Sequence, residues 1–249
     1  MYFCITEEYL PRCNVSTVDQ TTLTRRERLR AQTTQEITDI ALRQMATEGP
    51  GAISLRGIAR EMGMTARAIY SYFPTRDDLV SALIRKVGAS LADALETACD
   101  DATTPSGKLL AWGHALREWA LANPQGFRLI YGDPVPGYTP LADENPIEQA
   151  ARRICGGLNR LVAHACPPSR PSSDAEFAWT DFPETYLAKL KQDAPDLSPD
   201  VVALALRSWG RLHGLVTLEI FGHLGSLSND PAAVYRAELL DIVRSLTVE

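Results

Sequence analysis

Arg67 carries the most specific chemistry in the chain. It lies in the first turn of a short segment that Thr65 opens as an N-cap and Phe73-Pro74 closes. A guanidinium there can present two parallel N–H donors to a guanine edge, a contact that contributes roughly 1 to 3 kcal/mol of discrimination between bases. Such chemistry needs a helix whose N-terminal turn enters a major groove, and the residues before Arg67 supply that device. Ser54 caps a preceding helix with Leu55, Ile58, Ala59 and Met62 on one face, and Gly63 supplies the left-handed residue that ends it. Ala59, Met64 and Ile69 pack the corner between the two helices. The pattern is a helix-turn-helix. Arg56 and Arg60, spaced i, i+4 on its first helix, read equally as phosphate ligands and as a solvated face.

A formal net charge of -6 disguises a polarised chain. Residues 21 to 90 carry 11 basic against 7 acidic groups, residues 91 to 249 carry 13 against 21, and residues 1 to 20 carry 1 against 3. A cationic head can sit on phosphates while an acidic body is held away from them, which orients the molecule as well as binding it. Five cysteines without a Cys-x-x-Cys spacing support neither a disulfide framework nor a zinc site, and they suit a reducing cytoplasm. The opening residues lack the basic and apolar regions of a signal peptide, and the longest apolar stretch, 201 to 224, is broken by Arg207, Arg211, His213 and Glu219. No membrane partner is expected.

Apolar residues recur at three and four rather than two, so the chain reads as all-α. Thr33 and Glu36 form a capping box that predicts the start of the first helix, with Ile37, Ile40, Ala41 and Met45 inward. Residues 1 to 30 then read as a disordered or basic N-terminal arm, 31 to 78 as the helix-turn-helix domain, and 79 to 249 as a helical body entered through a long connector from Leu79 to Ala98. Beyond residue 100 a polar cap followed by proline marks five helix starts: Thr104-Pro105, Asn123-Pro124, Asn145-Pro146, Ser198-Pro199 and Asp230-Pro231. A short extra helix is expected between Pro183 and Gln192. The helix from Val201 to Phe221 is apolar nearly all round, and the last helix adds Tyr235, Leu239, Ile242, Val243 and Leu246. Two such helices from each of two subunits would make an intersubunit four-helix bundle, and hence a homodimer.

With these residues in hand, 33 to 80 resembles the DNA-binding domain of the TetR family of regulators. The likeness is carried by the capping-box helix, Ile58-Ala-Arg-Glu-Met-Gly63, Ile69-Tyr-Ser-Tyr-Phe73 and the Thr-Arg-Asp-Asp-Leu79 start. The body resembles a subgroup with a Trp-x-x-x-His-Gly signature, here Trp209-Gly-Arg-Leu-His213-Gly214. The resemblance implies that Thr65, Ala66 and Arg67 face bases, that Tyr70 and Tyr72 contact phosphates, and that Arg76, standing where lysine is usual, does the same. Arg25, Arg26, Arg28 and Arg30 lie where some members carry a basic arm that reaches the minor groove, a reading set against that of a solvated tail.

Within the body, Trp112, Trp119, Phe127, Tyr131, Trp179, Phe182, Trp209 and His213 are candidates to line an apolar effector cavity, against the plainer reading that aromatic residues at helical spacing are core. Neither metal-ligand spacing, nor a Gly-x-Ser-x-Gly elbow, nor a phosphate-cradling glycine loop occurs, so no metal, cofactor or enzymatic activity is expected. A redox sensor built on Cys99, Cys155 or Cys166 meets the objection that thiols beside apolar helices are inert. The expected function is a cytoplasmic, ligand-responsive regulator, a repressor that a small molecule releases from palindromic double-stranded DNA. Two alternatives stand beside it: a ligand-binding protein without specific operator recognition, and an enzyme on an all-α scaffold.

Overall fold

Capping residues and prolines dictate where most of the helices begin. The computed structural model describes residues 24–140, 145–166 and 177–247, which form ten α-helices and three short 3-10 turns, with no strand among the described residues. The head comprises α1 (Arg25–Glu48), α2 (Leu55–Glu61) and α3 (Ala66–Tyr70), and α4 (Arg76–Asp100) leads out of it. The body is built from α5 (Pro105–Ala122), α6 (Pro124–Tyr131), α7 (Glu148–Ala165), α8 (Glu184–Asp193), α9 (Pro199–Ile220) and α10 (Pro231–Thr247).

Thr104, Ser198 and Asp230 each accept a backbone N–H in the first turn of their helix, and the proline that follows lacks the N–H that would otherwise be orphaned. Asn123-Pro124 also opens a helix, but the Asn123 amide turns back to donate to the Trp119 carbonyl. At Asn145-Pro146 the expectation fails by two residues, since the Asn145 carbonyl closes a turn with the Glu148 amide and α7 begins only there.

The start of α1 corrects a second expectation. Thr24, not Thr33, forms the capping box, exchanging hydrogen bonds with Glu27, while the Thr33 hydroxyl donates to the Leu29 carbonyl inside the helix. Arg25, Arg26, Arg28 and Arg30 therefore occupy the first two turns of α1 instead of a loose arm, and residues 1–23 of that arm lie outside the described residues. The extra turns are held from outside the helix. Arg30 Nη2 donates to the Ser71 carbonyl at 2.8 Å, and its guanidinium lies 4.9 Å over the Tyr72 ring.

The core runs unbroken from head to body. Ile37, Ala41, Met45, Ile58, Ile69, Leu79 and Leu83 are buried in the head, and Leu91, Leu95, Leu109, Leu116, Val162, Leu212 and Leu239 continue the same cluster. The expected boundary at 78 and 79 thus falls inside α4, whose inward residues serve both sides. Forked arginines brace the body: Arg153 holds Glu96 and Asp93 across α7 and α4, and Arg117 holds Glu219 across α5 and α9 at 2.8 and 2.6 Å. Gly113 lets α10 approach α5, because a Cβ there would lie 2.5 Å from Leu239 Cδ1, and the Tyr235 hydroxyl donates to the Gly113 carbonyl at 2.7 Å.

Candidate nucleic-acid interface and effector site

The turn between α2 and α3 is fixed by local chemistry. Ser54 Oγ accepts from the Gly57 amide and Thr65 Oγ1 from the Ala68 amide, so each helix is capped by its own sequence. Gly63 adopts φ +65°, and the Met64 amide then reaches the Ala59 carbonyl at 2.8 Å, closing the corner over buried Ile58, Ala59 and Ile69. With Ile69 and Phe73 turned inward, Thr65, Ala66, Arg67 and Tyr70 are exposed on the opposite face. Arg56, Arg60 and Arg67 are exposed as well, and none of their guanidiniums makes a hydrogen bond or ion pair with a described residue. Three guanidiniums thus stand without a protein partner on one small head.

Other charges on the head are committed to holding it together. Arg43 and Gln44 of α1 both reach Glu61 of α2, at 3.1 Å each, and Lys86 of α4 pairs with Asp39 of α1 at 2.6 Å while donating to Thr38. Tyr72 lies half-buried under Arg30 rather than displayed beside Tyr70. Arg76 departs furthest from expectation. Its Nε donates to the Ile53 carbonyl at 3.1 Å and its Nη1 to the Pro136 carbonyl at 3.2 Å, so the guanidinium is anchored to the protein through two of its five N–H donors. Two backbone carbonyls from separate loops hold it, which a sequence cannot foretell.

In the body, five of the eight expected lining residues come together. Trp112 of α5, Phe127 and Tyr131 of α6, and Trp209 and His213 of α9 form a continuous ring cluster with neighbouring centroids 4.7 to 6.0 Å apart. The rings pack on one another at its heart, where Trp112 and Phe127 are buried. Trp119 and Trp179 stand apart: Trp119 Nε1 donates to Ser90 Oγ on the α4 side, and Trp179 pairs with Phe182 beside α8. Burial pushes the Tyr131 phenol well above its ordinary pKa, with the Cys155 thiol adding to the shift, and burial lowers that of His213. His213 Nδ1 lies 3.3 Å from Thr217 Oγ1, whereas its buried Nε2 has no hydrogen-bond partner. A second unpartnered buried atom, Asn159 Oδ1, belongs to an amide whose nitrogen donates to the Cys155 carbonyl. The Trp-x-x-x-His spacing signalled His213, but nothing local marks Asn159, because its burial comes from packing between distant helices. Among the described residues no group of three His, Cys, Asp or Glu could hold a metal ion, and no helix is long and apolar enough to cross a membrane.

Comparison with known proteins agrees with this geometry. The family model for bacterial regulatory proteins of the tetR family matches residues 37–83, and that for the tetracyclin repressor-like C-terminal domain matches residues 109–242, more than half of the chain. The chain belongs to the TetR family. The HTH-type transcriptional regulator Rv1816 of Mycobacterium tuberculosis is 32% identical over 218 residues, covering 86% of this chain and 92% of its own length. The regulatory protein SCO4313 is 36% identical, with a TM-score of 0.70 over 88% of this chain and 98% of that one. A protein of unknown function from Rhodococcus sp. RHA1 shares the fold at 23% identity, with a TM-score of 0.63 over 86% and 95% of the two chains. This TetR family member is a DNA-binding transcriptional regulator, and the alternative of a ligand binder without operator recognition is not favoured.

Proposed function

We propose that the protein is a homodimeric repressor, active in the cytoplasm without catalytic turnover, that leaves a palindromic operator when a small, largely apolar molecule enters its body. The observation that carries this reading is His213. A neutral imidazole whose buried Nε2 has no protein partner stands inside an aromatic cluster, and such an atom is free to bond a ligand that enters there. An effector that parts these rings and hydrogen-bonds to His213 would displace α6, whose Phe127 and Tyr131 belong to the cluster.

Thr65, Ala66, Arg67 and Tyr70 would meet the duplex from the exposed face of α3, with Arg56 on the flanking phosphates. Dimerisation is supported by a stripe of apolar side chains left exposed on the last two helices and their junction: Leu206, Leu218 and Phe221, with Val234 and Leu240 on α10. A second copy would bury these, at about 25 cal/mol per Å² of apolar surface. Light scattering tests the assembly, with a mass near twice 27.3 kDa expected and the monomer mass contradicting it. Tryptophan fluorescence during a screen of apolar aromatic compounds tests the cluster. A compound that both quenches Trp209 and releases bound duplex supports the reading, whereas release unaffected by His213→Phe would contradict the role of this site.

A further inference from the structure

The connection between α6 and α7 is hydrogen-bonded to the start of α4, where it leaves the head, at three points. Tyr131, the last residue of α6, belongs to the ring cluster, and only the short run 132–134 separates it from a tight turn, Val135-Pro136-Gly137-Tyr138. That turn has the chemistry of type II, with proline at its second position, Gly137 at φ +70° in its third, and the Tyr138 amide closing on the Val135 carbonyl at 3.0 Å. Its flipped central peptide hands the Pro136 carbonyl to Arg76 Nη1. Beside it the Tyr138 hydroxyl lies 2.9 Å from Ser81 Oγ, the Thr139 amide donates to Asp77 Oδ2 at 3.3 Å, and Val135 is buried. Through its Nε, the same Arg76 holds the Ile53 carbonyl, the last backbone acceptor before the Ser54 cap of α2.

We propose that Arg76 is a positioning residue for DNA binding, the joint through which the aromatic cluster and the helix-turn-helix sense one another. One rigid planar group links three parts: the entry to α2, the first turn of α4, and the turn that follows Tyr131. Moving α6 shifts Pro136, and Arg76 must then release one carbonyl or drag Ile53 with it. Coupling is therefore delivered at the base of α2 directly, in addition to any tilt of α4 as a whole. Linkage requires the reverse as well, so a duplex that fixes the head must steady the 132–139 loop. This inference rests on the effector-responsive reading above.

The probe is a duplex enriched from a random pool by the full chain, and the readout is amide hydrogen exchange across residues 132–139. In the unaltered protein the duplex is expected to slow exchange at Tyr138 and Thr139 by at least about fivefold, the lower end of allosteric coupling. Arg76→Lys keeps a cation for any phosphate contact but lacks the rigid planar fork that holds the two carbonyls together. It is expected to keep the salt dependence of binding while losing the slowing. Gly137→Ala strains the turn from the other side of the joint, remote from α3, and is expected to lose the slowing too. Slowing that persists in both variants would overturn the proposal, as would Arg76→Gln lowering the salt slope by about one per subunit, the mark of a lost phosphate contact. If no duplex is enriched at all, the operator reading fails first, an outcome distinct from a bound duplex that leaves the loop unchanged.

Discussion

Replacing Arg67 with alanine separates recognition from folding, because the side chain is exposed and bonds to no described residue. Its loss should alter stability by no more than about 0.5 kcal/mol, as for other surface substitutions. Its effect on the operator should be far larger. One bidentate contact to guanine contributes roughly 1 to 3 kcal/mol, and a symmetric dimer makes it twice, so about 2 to 6 kcal/mol is at stake, or roughly 30-fold to more than 10⁴-fold in affinity. Fluorescence anisotropy at one fixed salt concentration, with an enriched duplex and a scrambled one of equal length, measures this directly. The specific duplex should lose most of its advantage, and discrimination should relax at a single symmetric base position. Specific affinity unchanged within about threefold would refute the reasoning, as would an equal loss on both duplexes, since that pattern belongs to a phosphate contact.

Three further substitutions probe the scaffold. Gly63→Ala places a side chain at φ +65° with no atom within 4 Å of the new Cβ, so the cost is backbone strain alone, about 1 to 2 kcal/mol; Gly63→Asn should recover much of it in thermal unfolding. Gly113→Ala drives a Cβ to within 2.8 Å of both Leu239 methyls, and urea denaturation should show about 1 to 3 kcal/mol of lost stability; an unchanged midpoint would contradict the close approach of α5 and α10. His213 should make stability depend on pH. Burial lowers its pKa in the folded state, so the contribution is complete above about pH 6.5 and is lost as pH falls toward the lowered folded value. His213→Phe should flatten that slope below about pH 6.5, and identical slopes in the two proteins would count against a buried neutral imidazole.

What the sequence made legible was local. Ser54, Gly63 and Thr65 act on backbone groups within four residues of themselves, so the turn and both of its helices could be read directly. What it concealed was decided at a distance. Thr24-x-x-Glu27 and Thr33-x-x-Glu36 fit the same capping pattern, and the choice between them falls to Arg30, which finds its partners 41 and 42 residues away at Ser71 and Tyr72. Arg76 reads as a phosphate ligand through the resemblance alone, and the Pro136 carbonyl that engages it arrives from 60 residues on. The aromatic residues divide likewise. Trp209 and His213 share a helix face at i, i+4, but Trp119 leaves the cluster for Ser90, a partner 29 residues earlier.

The central claim is that two copies of this head set their α3 helices into successive major grooves. Hydroxyl-radical cleavage of an enriched duplex bound by the full chain measures this most directly. Two symmetric protected segments with centres about one helical turn apart, roughly 34 to 36 Å, are the result this account predicts. A single protected segment, or protection that ignores the sequence of the duplex, would contradict it.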